Sequence, residues 1–379
     1  MDFGFTDEQR MLQESVRLVM KKEAPIALVR QMDEANTWHH TQLWDVMAKS
    51  GWLGLGLPKE YGGEDGNVID QAILCTEFGR SLAPSSVAYF STIVPCAWLI
   101  AAAGTTDQKR EYLPGLIRGK QRLALALAEP HRTSEPGYVQ LEARPESNGY
   151  LLNGTKVSVY GGEGADAYLW VAQHPGGDGT KRPGIFLVDA KTPGVLVQPI
   201  ATMAPEGQVE VALKNVHVSQ DALLGGADDV TPHLQRSLDR ATLLRCAAAE
   251  GAARCAFEMT TEYAKRRVQF GKPIGSFQAV QHRLANACFE LEAAWGVLWE
   301  AIWSLDQAGD HHLIREVAKA AVIQAMERVA EEAHVVHGGI GFLHEYDLHF
   351  FTKRMLSVTP YVGTLNDRRE ALAAAMGLS

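Results

Sequence analysis

The sequence predicts an α+β fold of three consecutive parts: an N-terminal α-helical domain over residues 1–122, a middle antiparallel β domain over 123–230, and a C-terminal four-helix bundle over 231–379. Three observations lead there. Apolar residues recur at helical spacing through Met11, Val16, Leu18 and Val19 and onward to about residue 122. From Leu123 the texture changes to short runs with period-two alternation, separated by Asn-Gly, Pro-Gly and Gly-Gly turns. From Thr231 long Ala-rich segments restore the helical period.

The elements follow from local signals. Thr6 stands three residues before Gln9, a capping-box start for the first helix. "SGWLGLGLPKEYGG" reads as a Gly/Pro-rich connection, "VIDQAILCTEFGR" as a helix closing near Gly79, and "TTDQKREYLPGLIRGK" as a capped helix ending at Gly119. "LALALAEP", "GYLLNGTKVSVYGG", "DAYLWVAQ", "PGIFLVDA", "PGVLVQPI" and "QVEVALKNVHVS" supply the strands, and "HPGGDGTKRPG" a hairpin tip. The bundle comprises a helix ending near Arg267, a second over 278–308, a third ending at "HVVHGG" and a last from about Asp347. Strands do not alternate with helices, so a Rossmann-type nucleotide domain is excluded.

Bulk properties narrow the function. A chain of 379 residues divides into two or three domains, and 46% hydrophobic with 21% charged residues is ordinary globular composition. The net charge of -9 argues against a general nucleic-acid surface. Cys75, Cys96, Cys246, Cys255 and Cys288 form no paired spacing, which points to free thiols in a reducing cytoplasm. "MDFGFTDEQR" lacks the basic start and apolar run of a signal peptide. The run "VAYFSTIVPCAWLIAAAG" carries Pro95 and polar residues, and reads as a buried broken helix rather than a membrane span.

Chemistry concentrates in two stretches. In "YAKRRVQFGKPIGSFQAVQHRLA", residues 263–285, Gly and Pro interrupt a helix. Arg267 and Gln269 offer donors there and Phe270 a flat face, a set suited to phosphate beside an aromatic base. In "HGGIGF", Gly338 and Gly339 stop a helix and allow close backbone approach. His337, His344 and His349 lack the carboxylate or cysteine spacing of a recognised metal site, and none is expected.

Together with "FTDEQRMLQESV", "GLGLPKEYGG" and "LNGTK", these stretches resemble the acyl-CoA dehydrogenase family essentially end to end, most specifically in "RVQFGKPIGSFQAVQ". The resemblance implies the three-part fold above, FAD as cofactor, an acyl-CoA substrate, an electron-transferring flavoprotein as electron acceptor, and a homo- or heterotetramer built as a dimer of dimers. It implies that Arg267, with Gln269, Phe270 and Gln278, reaches the FAD pyrophosphate of a neighbouring subunit, joined by Gly338 and Gly339. It places Thr364 and Asn366 at the adenosine end. In the middle domain it points to Leu125, Leu127 and Ala128 for backbone contacts to the flavin, Ser134 at the family's serine position, and Ser158 and Tyr160 where an aromatic residue and a threonine are usual. Val335 replaces a glutamine three residues before the glycine pair, and Asp239 with Arg240 fall where the thioester ligand is contacted.

The departures concern catalysis. The family's glutamate base precedes Gly-Thr, where this chain has Val362; a second family location maps by spacing to Ala241. Asp239 and Glu250 are the nearest carboxylates in sequence, although Glu250 lies nine residues beyond Ala241, about 13 Å along a helix. Glu345 matches a structural position. The catalytic residue is therefore not assigned. The resemblance implies an acyl-CoA dehydrogenase, with the missing glutamate pointing to a subunit of the heteromeric type that acts on bulky or steroid-derived acyl-CoAs. A flavin-dependent monooxygenase or oxidase on the same fold, and a non-catalytic FAD-binding partner subunit, are the alternatives.

Overall fold

The structure, a computed structural model, describes residues 4–130, 139–175, 180–226 and 228–378. In chain order the N-terminal helices are α1 (Asp7–Glu23), α2 (Ile26–Glu34), α3 (Thr41–Lys49), α4 (Val68–Arg80), α5 (Ser86–Ala88), α6 (Trp98–Ala103) and α7 (Thr106–Ile117). Strands β1 (Leu123–Ala126), β2 (Ala143–Glu146), β3 (Gly149–Val159), β4 (Ala167–Pro175), β5 (Lys181–Asp189), β6 (Val195–Pro199) and β7 (Val209–Ser219) follow. Then come α8 (Thr231–Arg266), β8 (Val268–Gln269), β9 (Lys272–Pro273), α9 (Gln278–Trp303) and α10 (His312–His337). The chain closes with α11 (Leu348–Leu356), α12 (Thr359–Val362) and α13 (Leu365–Ala375).

These elements group into two compact units. The first draws on Met1–Gln31, Asn67–Ala83 and Thr242–Ser379, the second on Met32–Gly66 and Pro84–Ala241. In the second unit two sheets, ordered β1-β4-β5 and β2-β3-β7-β6, enclose a core of Tyr150, Leu152, Tyr168, Trp170, Phe186, Val209 and Val211. The pairing is antiparallel as expected except that β1 runs parallel to β4. The β2–β3 hairpin lies in the other sheet, so the chain returns to β1's sheet by a crossover, which makes a parallel pair.

The apolar run at 86–103 lies mainly inside the second unit. Its middle, Tyr89–Ala97, is wound as a π-helix around Pro95, which has no amide to donate. Side chains take up carbonyls instead: Cys96 Sγ donates to Ser91, and Ser237 Oγ to Pro95. Thr92 Oγ1 donates to the Leu123 carbonyl and so pins this helix to β1.

In the first unit α4 and α8 touch backbone to backbone. A Cβ on Gly79 would fall 1.8 Å from the Ala248 carbonyl oxygen, and one on Gly251 2.1 Å from that of Thr76. Gly79 is thus a packing residue; α4 continues past it to Arg80. The fourth bundle helix is also not continuous. Pro360 sits in the first turn of α12, and Gly363 at φ +95° ends it before Thr364 caps α13.

Candidate functional site

The interruption after α8 is a β-hairpin. Val268 pairs with Pro273 and Gln269 with Lys272, leaving Phe270 and Gly271 as a two-residue turn with φ of +52° and +77°. Positive φ at both central positions defines the turn class whose twist matches a hairpin. Glycine accepts that conformation freely, whereas phenylalanine is strained by it. Phe270 is nonetheless there, 92% exposed, with its edge toward Phe277 at 6.1 Å between ring centroids. Lys272 Nζ lies 4.5 Å from the Phe277 ring centroid. The Arg267 and Gln269 side chains are exposed, and among the described residues neither has a hydrogen-bond or ion-pair partner. A strained aromatic tip flanked by unpaired donors is a surface built for something outside the chain's own packing.

The glycine loop is joined to this hairpin through His337. Tyr263, four residues before Arg267, stacks on the His337 ring at 4.4 Å. His337 Nδ1 donates to the Ala333 carbonyl at 2.8 Å, so Nε2 accepts from the Tyr346 hydroxyl at 2.9 Å. Burial holds the imidazole below its ordinary pKa, opposed by the Ala333 bond, which keeps the ring neutral in this role. Directly after it, Gly338 has φ +61°, and a Cβ on Gly338 or Gly339 would meet nothing within 4 Å. The loop's outer side is open, and Val335 beside it is 51% exposed. Gln278, the first residue of α9, is exposed as well.

Farther along, the Thr364 hydroxyl is already used. It accepts from the Asp367 amide at 3.2 Å and donates to the Asp367 carboxylate at 2.8 Å, capping α13, while Asn366 is exposed. Val362 is 2% exposed. Its surroundings are cationic: the Arg245 guanidinium lies 3.9 Å from the Tyr361 ring centroid, and Arg368 Nε packs where a Gly363 Cβ would be. Glu316, the carboxylate bonded to Arg368 at 3.0 Å, also accepts from Lys319 at 2.7 Å. Glu250 is 2% exposed and bonded to Arg254 Nε at 2.8 Å; burial pushes its carboxyl upward against the pull of Arg254. It is a buried ion-pair partner. Glu345 is exposed.

In the second unit Leu127 is buried, and Leu125 and Ala128 are half-buried, on and just after β1. The Ala128 carbonyl accepts from the Val157 amide at 2.9 Å, which sets this stretch against β3. The β3–β7 register slips between Lys156 and Val159, and at this bulge exposed Ser158 takes φ +51°. Tyr160 is buried. Ser134 lies outside the described residues. Ala241 is 7% exposed. Asp239 accepts from Gln235 at 3.1 Å, and Arg240, 7% exposed, lies 3.6 Å from the Trp98 ring centroid. Among the described residues no group of three His, Cys, Asp or Glu side chains could hold a metal ion.

Sequence reasoning passed over three residues that organise these groups. His337 reads in the sequence only as a possible metal ligand, and Tyr346 carries no local signal. Lys156 carried a signal: alternation along β3 puts it on the same inward face as Tyr150 and Leu152.

The elements run helices, sheets, helices in chain order, with an open glycine loop and an exposed arginine hairpin in the C-terminal part. Family profiles match residues 6–120 (acyl-CoA dehydrogenase, N-terminal domain), 124–216 (middle domain) and 232–377 (C-terminal domain). The acyl-CoA dehydrogenase FadE12 of Mycobacterium tuberculosis strain H37Rv is 31% identical over 323 residues, 83% of this chain and 82% of that protein. The glutaryl-coenzyme A dehydrogenase–glutaryl-CoA complex superposes with a TM-score of 0.92 at 26% identity, covering 100% of this chain and 98% of that one. The ChsE4–ChsE5 complex from Mycobacterium tuberculosis gives 0.88 at 27% identity, covering 100% of both chains. The chain belongs to the acyl-CoA dehydrogenase family, whose members are FAD-dependent oxidoreductases.

Proposed function

We propose that this chain is the FAD-binding, base-lacking subunit of a heteromeric acyl-CoA dehydrogenase. The observation that carries this is Val362: the position that should hold the proton-accepting glutamate is a buried valine, and its chain neighbours Tyr361 and Gly363 are packed by Arg245 and Arg368. A general base must lie within hydrogen-bond reach of its proton, and valine accepts none. The residues suited to the cofactor's phosphates are retained. Arg267 and Gln269 present unpaired donors, Gly338 and Gly339 leave space for close approach, and Phe270 offers a face to an aromatic base. On the flavin side Leu125, Leu127 and Ala128 supply backbone, while Ser158 gives no aromatic shield.

When bound, FAD would supply the acceptor for hydride from the acyl β-carbon. In this reading the α-proton passes to a glutamate of a partner chain of the same fold, giving the α,β-unsaturated thioester, and an electron-transferring flavoprotein takes the electrons. Asp239 and Arg240 belong to the substrate side, and the assembly is a dimer of dimers. The ChsE4–ChsE5 likeness supports a two-chain arrangement. Co-purification from the native host tests it. The expected result is a second, glutamate-bearing family member with one FAD per pair of chains. One FAD per chain in a homo-oligomer overturns it.

A further inference from the structure

Lys156 is the one charged side chain among the inward residues of β3, alongside Tyr150, Leu152 and Val159, and it is 0% exposed. Its ammonium donates to the Leu127 carbonyl at 2.9 Å and to Glu129 Oε1 at 2.9 Å, and it lies 5.6 Å from the Trp170 ring centroid. Glu129, 6% exposed, also accepts from the amides of Gln140 and Leu141, each at 3.1 Å. Burial pushes the Lys156 ammonium down to about 8, against the pull of Glu129. For Glu129, burial works to raise the carboxyl, but Lys156 and the Leu141 amide outweigh it. Both groups are charged at neutral pH.

We propose that Lys156 is a positioning residue for FAD, fixing the Leu125–Ala128 backbone and the Ser158 bulge in the conformation that receives the flavin. This deepens the FAD-binding reading above and rests on it. The geometry is specific. Lys156 takes the Leu127 carbonyl and its neighbour Val157 takes the Ala128 carbonyl, so two successive peptide planes are held from one strand. The amides of Ala128 and Glu129 lie on those same planes and are set with them. One residue beyond Val157 the register slips and Ser158 adopts its left-handed conformation, so the stretch is tied at the point where β3 bulges. Packing alone does not call for a lysine here. A well-packed apolar pair usually serves a core at least as well as a buried ion pair. What the ion pair adds is a fixed orientation for a backbone that has no side-chain contact of its own to offer.

The test uses the full chain, with its partner if one co-purifies, and reads FAD affinity by titration and the shape of the visible flavin absorption band. Lys156→Met should weaken FAD binding about tenfold or more, the scale of a lost hydrogen bond to a charged group, and alter the flavin band. Lys156→Met leaves Glu129 buried and unpaired, so the double variant Lys156→Met/Glu129→Leu removes the charge from both positions. It should retain cooperative urea unfolding without FAD and still show the weakened affinity. A double variant whose affinity stays within about twofold of the parent, with an unchanged band, overturns the positioning role. If the parent protein takes up no FAD at all, the FAD-binding reading fails first and this inference falls with it.

Discussion

The hairpin at Arg267 and the turn at Val362 belong to one compact unit, yet their surroundings are opposite. At the hairpin, donors are exposed and unpaired, and a phenylalanine is held at φ +52° with 92% of its surface in solvent. Among the described residues no hydrogen bond or ion pair engages the Arg267 or Gln269 side chain. At the turn, valine is buried, and the nearby charges are cations or a carboxylate already committed to Lys319 and Arg368. In the proposed reading one unit carries a binding arm at the hairpin and a buried valine where the family resemblance puts the proton acceptor. On that reading binding and catalysis are separable because they depend on different residues.

The sharpest way to break this contrast is at Arg267. Arg267→Ala removes a charge-assisted donor that has no hydrogen-bond or ion-pair partner among the described residues, so stability should be unchanged while FAD affinity falls about 100-fold, the upper range for a hydrogen bond to a charged group. The measurement is FAD retained on gel filtration together with the urea midpoint. Unchanged retention would make the hairpin an ordinary surface feature. A smaller effect is expected at His337, which contacts no ligand in this account but joins Tyr263 to Tyr346 beneath the glycine loop. His337→Leu should weaken FAD binding about tenfold, since two neutral hydrogen bonds and one ring stack are lost beneath the loop. Its pH dependence adds a second readout. Because the folded ring titrates below its ordinary value of 6.5, the order it gives is full above that value and is lost as pH falls through the folded pKa. The parent should therefore lose FAD affinity on acidification, and the leucine variant should lose less. His334, another histidine near the ring, also titrates low, so His334→Gln serves as the control.

How much of this was legible depended on whether the signal was local. The N-cap at Thr6 followed from T-x-x-Q spacing and forms a capping box, and the capped start expected in "TTDQ" is a second such box, at Thr105. The same rule reads T-x-x-D at Thr364–Asp367, but the resemblance drew that residue toward the adenosine, and the capping role was missed. Pro273 and Gly271 announced a break after α8 without showing that two residues would pair on either side. The π-helical winding at Tyr89–Ala97 was marked only by Pro95, because the side chains that satisfy its carbonyls lie partly in distant segments. Gly79 read as a stop, since sequence cannot show that α8 passes within van der Waals contact of it. The Lys156–Glu129 pair is the instructive case. Parity placed Lys156 inside, but the partner 27 residues away is found only when β3 is laid against the end of β1.

The central claim is that this chain binds flavin but brings no base of its own, and turnover measures it directly. Pure chain supplied with FAD, acyl-CoA thioesters and an artificial electron acceptor should reduce no acceptor. Adding a family member that carries the Glu-Gly-Thr turn should start the reaction, and Arg267→Ala in this chain should diminish it. Sustained acyl-CoA-dependent reduction by this chain alone would contradict the account.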